Sequence, residues 1–187
     1  SVIQTSVAGQ VNLIAIVDGV STQWWNGAGT AGSGTITGGD GTWNAATANW
    51  TNVDGTIAAS WIQGGLAIFN GTAGTVTLGS AISASGLQFA VDGYQLTGAQ
   101  TLTLVKQADD SAPFIKVDTG TATLAVTLAG TDGLTKTGTG TLVLSGSNTY
   151  EGGTIVAAGT LQVAADGALG DTSGDLTLAN ATLATTA

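Results

Sequence analysis

A short pattern recurs along this chain: Thr alternates with an aliphatic residue for about four positions, and glycine then breaks the run. It occurs at Thr75-Val76-Thr77-Leu78, Thr101-Leu102-Thr103-Leu104, Thr121-Ala122-Thr123-Leu124, Thr141-Leu142-Val143-Leu144 and Asp175-Leu176-Thr177-Leu178. Alternation puts methyl groups on one face and hydroxyls on the other, the period-two signature of a half-buried strand. Thr and Val also favour extended backbone. The breaks (Gly71-Thr72-Ala73-Gly74, Asp92-Gly93, Gly138-Thr139-Gly140, Gly152-Gly153, Asp166-Gly167) supply the positive φ that tight corners need. Many short strands joined by glycine corners mean an all-β chain.

Internal similarity favours a solenoid over a sandwich or barrel. The segments beginning at Gly74, Gly140 and Gly174 share a G-x-[LV]-x-L start. Stacking such coils at about 4.8 Å lets each cap the next and leaves only terminal edges open. At roughly 20–25 residues per coil, the chain predicts about seven to nine coils and a rod of some 35–45 Å. We expect a right-handed parallel β-helix with three faces per coil and Leu, Ile, Val and Ala stacked inside. It divides into a leading strand or cap segment (1–20), a Trp-rich region (21–105) and a regular repeat region (106–187), as one continuous solenoid. Residues 106–120, with Pro113 and Asp109-Asp110, read as a loop interrupting the coils. The leading segment reads either as a coil of its own or as a strand covering an open edge of the rod.

Composition narrows the function. Charged residues make up 8% of the 187, against about 25% in ordinary soluble domains. Hydroxyls, amides and backbone must therefore hydrate the surface. Net charge is −9, and the basic residues are three lysines, Lys106, Lys116 and Lys136. Nucleic-acid binding needs several clustered cations, so it is excluded, and an anionic membrane surface is disfavoured. The absence of Cys rules out disulfides and thiolate metal sites; it fits the cytosol, and it also suits a secreted chain that crosses a narrow pore unfolded. The apolar run Leu13–Val17 is too short to span a bilayer.

Catalysis has few components available. Without His there is no Ser-His-Asp triad, and without Cys no thiol nucleophile. Asp109-Asp110 with Asp118 is the one local acidic cluster, and it reads as a solvated loop rather than the carboxylate pair of a glycan-cleaving enzyme. "GGDGTWN" (38–44) resembles a calcium-binding β-roll repeat, but Trp43 stands where the ligand Asp belongs, so it reads as a Gly-rich turn. We therefore expect no enzyme, no cofactor and no catalytic, cofactor-binding or metal-binding residue; residues of a binding face are not identifiable. All five Trp (24, 25, 43, 50, 61) lie in the first half. They read as core or cap packing, with a sugar-stacking face as the alternative. Lys136 reads as a solvated strand end, and Asn148 as a side chain bonding backbone at a corner. The triplets at Asn49, Asn70 and Asn180 match the glycosylation pattern by chance of composition.

Residues 133–163, "GLTKTGTGTLVLSGSNTYEGGTIVAAGTLQV", resemble the autotransporter-associated β-strand repeat, matching it from Gly133, Leu134 and Lys136 through Asn148 and Tyr150 to Leu161 and Val163. Segments 24–52, 67–78, 86–98 and 164–186 are similar to the flanks of such repeats. The resemblance implies a passenger of type V secretion, displayed on the bacterial cell surface or secreted. An outer-membrane β-barrel translocator would lie outside this segment. It also implies roles in adhesion, self-association (autoaggregation) or biofilm, with a host or extracellular surface, or a carbohydrate, as partner.

Overall fold

The computed structural model describes residues 21–185, and before them the backbone of the strands Val2–Gln4, Asn12–Ile14 and Ile16–Val17 and of Val20. The described chain is all-β apart from one short 3-10 turn at Asp166–Leu169. Its strands stack into long parallel sheets, consistent with a β-solenoid.

One stack runs Val20–Trp25, Gly65–Phe69, Ile82–Phe89, Phe114–Val117, Leu134–Thr137, Thr154–Val156 and Leu176–Leu178. A second runs Gly41–Trp43, Thr75–Leu78, Gln95–Thr97, Thr121–Leu124, Thr141–Leu144, Gly159–Val163 and Ala181–Thr185. A third, shorter stack joins the start of Ile82–Phe89 to Thr101–Leu104 and Thr127–Ala129. Three faces are thus regular only in the middle of the rod. The alternating runs that look alike in sequence land on different stacks. Thr75–Leu78, Thr121–Leu124 and Thr141–Leu144 belong to the second, Thr101–Leu104 to the third and Leu176–Leu178 to the first.

Burial follows the alternation. Thr121–Leu124 and Thr141–Leu144 each alternate half-buried with fully buried positions. Inward residues form columns through the rungs, such as Leu96, Leu124, Leu144 and Val163, each in register with the next. Each buried Leu or Val is worth about 1.5–3 kcal/mol against exposure. The column form means each rung supplies the apolar floor for its neighbour.

The leading end is built differently. Trp50–Thr51 pairs antiparallel with Trp24-Trp25, and Ala58–Ala59 pairs antiparallel with Trp50–Thr51. Ile16–Val17 also pairs antiparallel with Val20-Ser21. Antiparallel strands therefore lie along the leading edge of the first stack. Behind them Trp25, Trp43 and Trp50 are fully buried and Trp61 is 4% exposed. Their rings meet edge-to-face or tilted, with Trp50 and Trp61 4.6 Å apart and Trp43 and Trp61 4.9 Å apart. Phe69 and Phe89 then stack at 4.8 Å, and aliphatic columns take over. The aromatic cluster fills the core behind these antiparallel strands.

The expected interruption at 106–120 is shorter than its composition suggests. Phe114–Val117 is a strand of the first stack, pairing Ile115 with Leu87 and Lys136. Pro113, lacking an N–H, sits just before it.

Candidate interaction surface

The outward side of the second stack presents three rows of side chains. One row sets Thr121, Thr141, Thr160 and Thr182 in register. The row beside it sets Thr75, Gln95, Thr123, Val143 and Gln162 in register. A third sets Thr42, Thr77 and Thr97 in register, with the last two hydroxyls 3.4 Å apart. None of the seven strands of this stack contains an acidic or basic residue. Strands Thr101–Leu104 and Thr127–Ala129 of the third stack are free of charge too. Parallel strands about 4.8 Å apart make such a face periodic, with a hydroxyl or amide at most of its rungs and Val143 as an aliphatic break in the second row.

The described carboxylates lie outside the strands, and several of them hold the coil together. Asp40 Oδ1 accepts the N–H of Thr75 at 2.7 Å, and Asp92 Oδ1 accepts the N–H of Thr121 at 2.6 Å. Each caps the first donor of a second-stack strand. In the "GGDGTWN" turn the carboxylate is therefore engaged with backbone. Among the described residues no group of three or more His, Cys, Asp or Glu is placed to hold a metal ion.

The acidic cluster does not converge. Asp109 accepts from the Ser111 hydroxyl at 2.6 Å, and Asp110 pairs with Lys106 at 2.9 Å. Asp118 pairs with Lys116 at 2.8 Å and accepts from Gln88 Nε2 at 2.7 Å. The hydrogen bonds from Ser111 hold Asp109 below the usual carboxylate range. Partial burial pushes Asp118 up, but the hydrogen bonds from Lys116 and Gln88 and the Lys116 charge outweigh it, and its pKa is lowered. A glycosidase acid requires the opposite shift.

The sugar-stacking alternative for the Trp residues fails on burial. Trp25, Trp43, Trp50 and Trp61 are inside the cluster, and only Trp24 is half-exposed. Ring faces that pack on one another are not available to a pyranose. Asn49, first residue of a glycosylation triplet, is buried and donates to the carbonyls of Gly27 and Thr42.

Asn148 does what its corner position predicts. Its Oδ1 accepts the Leu128 N–H at 2.9 Å and its Nδ2 donates to the Ala168 carbonyl at 2.6 Å, tying successive coils. Lys136 overturns its expectation. It is fully buried, in the inward column between Ile115 and Val156. Its Nζ donates to the carbonyls of Thr137 at 2.8 Å, Gly138 at 2.8 Å and Ala158 at 3.1 Å. Burial pushes its pKa down to about 8. In Leu134-Thr135-Lys136-Thr137 the lysine shares the parity of Leu134, so the alternation itself directs it inward. That signal was present in the sequence and was outweighed by the charge.

Residues 134–163 match the family Passenger-associated-transport-repeat. The chain is also similar to the adhesin BmaC autotransporter of Brucella suis biovar 1 (strain 1330), with 42% identity over 181 residues. That match takes in 91% of this chain and 5% of the relative, so the chain spans a small part of the relative's length. No solved structure matches. Among the described residues no helix is long and apolar enough to cross a membrane. The stacked parallel rungs, the repeat at 134–163 and the likeness to an adhesin along 91% of this chain agree, and together they support an autotransporter passenger fragment.

Proposed function

We propose that this segment is a right-handed, non-enzymatic rod in a passenger displayed on the bacterial surface or secreted, and that its second face is adhesive. The observation that carries the reading is the absence of charge from every strand of that face. A face of in-register Thr and Gln offers many small hydrogen bonds. It meets little charge repulsion from a second copy or from a neutral host surface. The described carboxylates lie outside the strands, and salt screens their repulsion within about 8–10 Å. The relative's name, an adhesin, supports this class of role.

The second copy is the partner the chemistry fits best, because a periodic row of donors and acceptors is complementary to itself. Such contact gives autoaggregation between cells and, extended, biofilm. The barrel that would carry the passenger out lies beyond this segment.

The test is bead clumping. Beads coated with this chain should aggregate, and beads coated with Thr123→Glu/Thr160→Glu should stay dispersed. Equal clumping by both would remove the face from the account. The two positions lie in different rows, so the new carboxylates are not direct cross-strand neighbours.

A further inference from the structure

Lys136 is the one described charged residue with no exposed surface. A buried ammonium carries three donors and needs three acceptors. Here it has three, all backbone carbonyls and none a counter-charge: Thr137, Gly138 and Ala158. Two belong to its own corner, and the third belongs to the next coil. Gly138, at φ 76°, turns the corner that presents two of these carbonyls, and a Cβ there would strike the Val117 carbonyl. Across the rung the column continues as Val156, with Ile115 on the other side. An aliphatic residue at 136 would pack in this column without needing any polar partner.

Similar coils carry a hazard. A strand that slips by two residues keeps every side chain on its proper face, so alternation alone does not forbid the slip. In an all-aliphatic column such a shift changes little. With lysine in the column it changes a great deal. Two residues of strand are roughly 6.6 Å, enough to carry the Ala158 carbonyl out of hydrogen-bonding reach of Nζ. A buried charge would then lose one of its partners in a place water does not reach.

We infer that Lys136 is a register key: its reach to the Ala158 carbonyl selects the one alignment in which coil 154–163 docks on coil 134–144. The key acts between successive coils of the chain and is independent of what the outer face binds. Its best-known counterpart is the buried polar residue that fixes alignment in coiled coils at a cost in stability.

Disulfide trapping tests this directly, because the chain contains no Cys. Thr135 lies opposite Ile155 in the native register, and both side chains point outward. Thr135→Cys/Ile155→Cys therefore reports the native alignment. Thr137→Cys/Ile155→Cys reports a two-residue slip, since in the native register that diagonal exceeds about 7 Å and is too long to bridge. Each pair is made in the full chain with Lys136, Lys136→Met and Lys136→Arg, unfolded under reduction, refolded and then oxidised. With Lys136 the native pair should close and the slipped pair should not. With Lys136→Met both should close, the slipped pair at several-fold above its Lys136 level. Lys136→Arg, which keeps the charge, should stay closer to the parent chain than Lys136→Met does. Exclusive closure of the native pair in Lys136→Met overturns the inference. So does closure of neither pair, which would make Lys136 a support of the coil rather than a selector of its register.

Discussion

Lys136 Nζ lies 3.1 Å from the carbonyl oxygen of Ala158, so a charge inside the core is held by the backbone of the following coil. The burial of that charge sets up a pH dependence. The folded pKa is lowered to about 8 from 10.5. Between those values the unfolded chain binds the proton that the folded chain has released, so stability rises with pH through that window and is flat below it. Tyr94 acts in the opposite sense above pH 10, because burial raises its pKa to about 12, against a weaker lowering by a backbone hydrogen bond. The cleanest comparison is therefore pH 7 against pH 9.5. Urea midpoints should rise for the parent chain and stay level for Lys136→Met; parallel behaviour of the two would contradict the assignment.

The tryptophan cluster predicts both a spectrum and a stability. Acrylamide should reach about one of the five Trp, the half-exposed Trp24. Trp61→Ala should cost about 3–5 kcal/mol in urea unfolding, the usual loss for a buried aromatic. Unrestricted quenching of all five would show that the cluster is not formed.

Asn148 should be worth more than its size suggests. Asn148→Ala leaves the Leu128 N–H and the Ala168 carbonyl without partners in a buried place. The expected loss is about 1–3 kcal/mol. Asn148→Asp should not restore it, because a carboxylate has no donor for Ala168. Full stability of the Asp variant would mean that the Ala168 bond contributes nothing.

The corner carboxylates should behave as backbone caps. Asp92→Ala should destabilise by about 1 kcal/mol through loss of the bond to the Thr121 N–H, whereas Asp92→Asn keeps an acceptor and most of the stability. Equal losses would point to the charge rather than the hydrogen bond.

The strands were readable because side-chain parity is a local property. Thr121–Leu124 and Thr141–Leu144 declare their inward residues within four positions. Which stack a run joins depends on corner lengths, and so Thr101–Leu104 and Leu176–Leu178 could not be told from their look-alikes. Phe114–Val117 was hidden by its neighbours, Pro113 before it and Asp118 after it, although Ile115 and Val117 keep the same parity. Asn148 was readable from turn chemistry alone. Lys136 was misplaced because its charge suggested solvent, while three converging carbonyls exist only once two coils are stacked. The outward face was foreseen as rich in hydroxyls. That it is free of charge along all seven rungs appears only when the strands are assigned to their stacks.

Sedimentation velocity of the unmodified chain, over a wide concentration range at low and at physiological salt, addresses the adhesive face most directly. The account predicts dimers and larger species that grow with concentration and strengthen with salt, as screening relieves the carboxylates of a chain with net charge −9. An elongated monomer at every concentration, or association that weakens as salt is added, would contradict it.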